Sequence, residues 1–160
     1  MSLFGNDDYQ WRETYFVLFH ESDRPSTKRV ADALTDDSRF EVTEIRGDGD
    51  GRLESLTLIS PDDFSAMDIT FVMGDEVSEQ VEELLQDMIR TTLTDEERTK
   101  LDDLGKCNAR FDIFHFEQVS SGDGGEGEFL DPGGLLIVME CLTALCNGVS
   151  IDPQSGSFMG

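Results

Sequence analysis

A chain of 160 residues that sets 35 carboxylates against 12 bases carries a formal charge of −23. Such a field repels nucleic acid and anionic membranes, so neither is expected as a partner. The length suits one domain, residues 1–160, with a core large enough to fold without a metal or disulfide framework.

The first ten residues contain Asp7 and Asp8 but no base, unlike a secretory signal, and no apolar run approaches the roughly 18 residues of a membrane span. A soluble, cytoplasmic chain is expected, with residues 1–12 as a flexible tail. Trp11 reads as a packing anchor.

Thr14 to His20 is apolar almost throughout and predicts a central strand. Pro25 suits the first turn of a helix in which Val30, Ala33 and Leu34 share a face. Phe40 to Ile45 alternates strictly, as a half-buried strand does. Leu53 to Ile59 is the next strand, and Gly47-Asp48-Gly49-Asp50-Gly51 between them predicts a tight hairpin. Ser60-Pro61-Asp62-Asp63 has the grammar of a single helical turn, and Asp68 to Met73 is a further strand.

Val77, Val81, Leu84, Leu85 and Met88 form one apolar stripe, with Glu79, Gln80, Glu82, Glu83 and Asp87 opposite. Thr94-Asp95-Glu96-Glu97 is a capping box opening a short helix that Gly105 is expected to end in the left-handed conformation. Arg110 to Glu117 is a strand with Phe111, Ile113 and His115 on one face and Phe114 and Phe116 on the other. Ser120 to Glu128 is glycine-rich and acidic, a mobile loop. Asp131-Pro132-Gly133-Gly134 opens the last helix, Leu135 to Cys146 is apolar nearly all round, and Asn147-Gly148 is its stop signal. Val149 and Ile151 form a short strand, with Phe158 pairing back.

The order of elements predicts an α+β fold: a two-layer sandwich with a mixed, mostly antiparallel sheet and helices mainly on one face. The cysteines, Cys107, Cys141 and Cys146, read as reduced, buried, small apolar side chains. No metal site is expected, since Cys-x-x-Cys and His-x-x-x-His spacings are absent. Asp48 to Ile59 fails as a calcium loop: Arg52, Leu53 and Ile59 stand where an oxygen ligand, glycine and glutamate are required. No cofactor fingerprint follows the first strand.

The leading functional expectation is a non-catalytic binding or protein-interaction module whose acidic surface favours a basic protein partner. A homodimer through a strand edge or the last helix is the other association considered. The alternative is a small hydrolase or metal-dependent enzyme using His20 and His115, the two histidines, with a carboxylate such as Glu21 or Glu117.

Overall fold

The computed structural model describes residues 8–36, 38–61, 64–89, 94–118, 133–153 and 157–158. The strands are β1 (Tyr9–Phe19), β2 (Glu41–Gly47), β3 (Leu53–Ser60), β4 (Ser65–Met73), β5 (Ala109–Gln118), β6 (Val149–Asp152) and β7 (Ser157–Phe158). The helices are α1 (Thr27–Thr35), α2 (Asp75–Ile89), α3 (Asp95–Leu104) and α4 (Gly133–Cys146), with a short 3-10 turn at Glu21–Asp23. The α+β class is as expected. The strands form one sheet in the order β2-β3-β4-β5-β1-β6-β7. Every pairing among them is antiparallel, so the mixed component of the expected sheet is absent from the described strands. Although α1 links β1 to β2, three strands separate them along the sheet, so that crossover creates no parallel neighbours.

β1 begins at Tyr9, inside the segment expected as a tail. Tyr9, Gln10 and Trp11 pair with Gln118, Glu117 and Phe116, with a register shift between Trp11 and Glu13. Trp11 is 47% exposed rather than a buried anchor. Its indole N–H donates to the Thr14 hydroxyl at 3.1 Å.

Local chemistry sets the helix ends. Ser26 caps α1, its hydroxyl accepting from the Arg29 N–H at 3.1 Å, so Pro25 falls before the first turn rather than in it. Pro25 sits one residue outside the cap, where its carbonyl accepts from the Leu53 N–H. The Thr94–Glu97 capping box forms reciprocally, both bonds at 3.1 Å. Gly105 ends α3 at φ −62°, in the right-handed rather than the left-handed region. Asn147, at φ 50°, supplies the left-handed residue that stops α4. The turn expected at Asp62 and Asp63 and the loop 120–128 lie outside the described residues.

The larger core joins the odd-numbered residues of β1, β4 and β5 (Val17, Phe19, Met67, Ile69, Phe111, Ile113) to Val30 and Leu34 of α1 and Leu135, Val138 and Leu142 of α4. Phe19 and Phe111 stack with ring centroids 4.7 Å apart. The Arg24 guanidinium covers the neighbouring Phe71 ring at 3.8 Å and caps the cluster as a cation–π contact. The opposite face is also used. Leu18 of β1 and Val149 and Ile151 of β6 pack with Val77 and Val81 of α2 and Leu104 of α3. α1 and α4 therefore lie on one face and α2 and α3 on the other, because both parities of β1 are apolar.

The turn after α4 brings Gly148 against β1. A Cβ there would stand 2.7 Å from the Leu18 carbonyl oxygen and 3.0 Å from both Val17 Cγ1 and Cys146 Sγ. The nearest obstacle is backbone, which yields little. Gly148→Ala is expected to destabilise the chain by roughly 1–3 kcal/mol, the usual cost of overpacking a tight site. Chemical denaturation with an unchanged slope and a lowered midpoint would register it.

Candidate functional site

The two histidines do not meet. His115 lies inside β5, fully buried, and faces Glu13 across the β1–β5 ladder. His20 stands seven residues beyond Glu13 along β1, roughly 23 Å away at about 3.3 Å per residue. It is exposed and opens the 3-10 turn, its Nδ1 2.8 Å from the Ser22 hydroxyl.

Of the carboxylates paired with them in the sequence, Glu21 is held by its backbone and Glu117 pairs with another side chain. Glu21 gives its backbone N–H to the Asn108 side-chain oxygen at 2.8 Å. Glu117 forms an ion pair with Arg12 at 3.4 Å. The carboxylate beside His115 is Glu13, with Oε1 3.7 Å from Nδ1. Only the antiparallel register selects Glu13, since 102 positions separate the two in the chain. Among the described residues, no group of three or more His, Cys, Asp or Glu side chains is arranged to hold a metal ion.

The Asp48 turn is occupied by its own chain. One carboxylate oxygen accepts from the N–H groups of Asp50 and Arg52 at 2.8 and 3.0 Å, and the other accepts from Arg24 at 3.0 Å. These hydrogen bonds, led by that from Arg52, hold the Asp48 carboxyl below the usual carboxylate range.

A buried polar cluster on the second face fastens α2 to the sheet. Arg110 is 7% exposed, with Nε 2.5 Å from Asp112 and Nη1 2.6 Å from the side-chain oxygen of Gln80, which turns towards the sheet rather than lying on the outer face of α2 as its spacing predicts. Its guanidinium lies 4.6 Å above the Phe16 ring. Burial pushes the Asp112 carboxyl up, against the opposing pull of Arg110. The cluster uses its hydrogen-bonding capacity internally, as a structural fastening does.

Concavities lie elsewhere on the described surface. One, of about 210 Å³, lies over β2, β3 and β4 and is lined by Glu44, Arg46, Thr57 and Asp68; the buried Asp68 carboxylate takes a 2.5 Å bond from the Thr57 hydroxyl. A second, of about 410 Å³, includes His20, Asp23, Lys106 and Cys107. A third, larger than these two at about 610 Å³, runs between α3, α4 and the start of β6. Sequence reasoning missed the residues of this last groove, because an almost wholly apolar α4 gives no sign of which side stays outside. No family model, curated protein or solved structure matches the chain. Among the described residues no helix is long and apolar enough to cross a membrane.

The cysteines next to these features are chemically quiet. Cys107 and Cys146 are buried and donate to the Asp103 and Leu142 carbonyls at 3.3 and 3.0 Å. Burial pushes both thiols up to about 12. A thiol raised on folding contributes stability below its unfolded value, near pH 9, and that contribution is lost as pH rises towards 12. At pH 8 the folded chain should therefore alkylate at Cys107 and Cys146 at least about a hundredfold more slowly than the unfolded chain, read by mass spectrometry of iodoacetamide-treated protein. The histidines give a matched pair. His115→Ala should cost more than about 2 kcal/mol through the cavity it leaves, whereas His20→Ala should stay within about 0.5 kcal/mol. Thermal unfolding distinguishes them.

Proposed function

We propose that this chain is a non-catalytic binding domain that engages a basic protein partner through the outer surface of α2 and α3. The observation that carries this reading is the one-sided charge of α2. Its exposed side presents Asp75, Glu76, Glu79, Glu82, Glu83 and Asp87, and its 15 residues include no lysine or arginine. Asp95, Glu96, Asp102 and Asp103 extend the acidic surface onto α3.

Several of these acids lie beyond what helix capping needs. Carboxylates in a first turn complement the helix dipole, but that preference fades within the turn. Glu82, Glu83 and Asp87 stand in later turns, where repulsion among like charges costs stability. A surface of this kind steers a cationic partner and speeds its encounter. Self-association is the less favoured reading, because it brings together two chains of −23 each. The hydrolase alternative lacks the shared histidine site that motivated it.

The test compares charge reversal at two places. The variant Glu79→Lys, Glu82→Lys, Glu83→Lys alters α2, while Asp32→Lys, Glu41→Lys, Glu54→Lys makes the same change in net charge on exposed positions elsewhere. Retention of cytochrome c, a basic probe, is measured on each immobilised protein at low and at physiological salt. The α2 variant should lose at least about tenfold in affinity and the control less than about threefold, with salt weakening both. Equal losses would reduce the effect to bulk charge and overturn the proposal.

A further inference from the structure

The groove between α3, α4 and β6 adjoins the acidic layer, and its chemistry narrows what a partner must present. Its volume of about 610 Å³ lies within the range of ligand-binding clefts. On the α4 wall, Leu136, Glu140 and Ala144 fall at i, i+4 and i+8 and are all exposed, Leu136 by 50%. Met139 and Val149 supply buried apolar surface at its base.

Charge distinguishes the two walls from an ordinary apolar cleft. Glu140 of α4 and Asp103 of α3 both line the groove and both are exposed. Lys100 is the base among the lining residues, and its ammonium lies 5.8 Å from the centre of the Phe158 ring of β7. The Thr143 and Ser150 hydroxyls lie 2.7 Å apart and bond to one another. Two carboxylates flanking an apolar floor, in a chain of −23, complement a cation carried on an apolar stem. A lysine side chain has that form: a methylene chain to lie on Leu136 and Met139, and an ammonium to reach the carboxylates.

We infer that this groove seats a lysine-bearing apolar segment of a protein partner. The inference rests on the reading of the chain as a binding domain for a basic protein, and it adds the place and the recognised side chain. The acidic layer would then supply steering, and the groove the contact that survives desolvation.

The experiment uses the full chain and two short peptides, one alternating valine with lysine and its twin alternating valine with glutamate. Backbone amide chemical shifts are followed during titration. The lysine peptide should move resonances of residues 136–150 and 100–103, and the glutamate twin should move none. Glu140→Lys changes an exposed position and should weaken the lysine peptide by about tenfold, while Glu54→Lys, at an exposed position of β3, should change it less than about twofold. Shifts gathered elsewhere, equal response to both peptides, or butylamine binding as tightly as the peptide would each overturn the groove assignment. Cytochrome c retention is run in parallel. If it remains sensitive to α2 reversal while the groove stays silent, the binding-domain reading stands and only the groove fails. If both are silent, both fail.

Discussion

The register of β1 against β5 is the constraint on which the rest of the structure depends. From Glu13 to Phe19 the pairing is continuous, and it places Val17 opposite Phe111 and Leu18 opposite Arg110. Because successive side chains point to opposite faces, these two neighbouring pairs serve different layers. Val17 and Phe111 enter the core beneath α1 and α4, while Leu18 and Arg110 meet α2 and α3. A slip of one residue would exchange the two sets and bury Asp112 where Phe111 now stands.

That division explains why a charged residue is tolerated deep in the second face. Arg110 is held between Asp112, Gln80 and the Phe16 ring, so its burial is compensated by hydrogen bonds and by an aromatic surface. Gln80 belongs to the otherwise acidic α2, and through it the helix is oriented with Val77 and Val81 inward and its carboxylates outward. The fastening of α2 and the display of its charge are therefore one arrangement seen from two sides.

Local structure also uses part of the acidic surface. Asp48 is consumed in its hairpin, Glu97 in a capping box and Asp112 in the Arg110 cluster. Local structure accounts for these acids without a partner. Asp75 and Glu76 sit in the first turn of α2, with Glu76 3.8 Å from Arg110, whereas Glu79, Glu82, Glu83 and Asp87 lie past that turn, and they and the groove carboxylates motivate the functional proposals.

Much of this was legible in the residues themselves. The Asp-Gly hairpin, the Thr94 capping box, the stripe Val77–Val81–Met88, the stop at Asn147 and the shared face of Phe111, Ile113 and His115 all follow from patterns contained within one element. Each depends on a side-chain period or on a hydrogen bond spanning a few positions, so it needs no knowledge of what packs alongside. The strand order, the use of both sheet faces, the pairing of His115 with Glu13 and the groove beside α4 were decided by the tertiary structure alone. They depend on which elements become neighbours, and an apolar run such as Phe16 to Phe19 or Leu135 to Met139 states only that a surface must be covered, not by what.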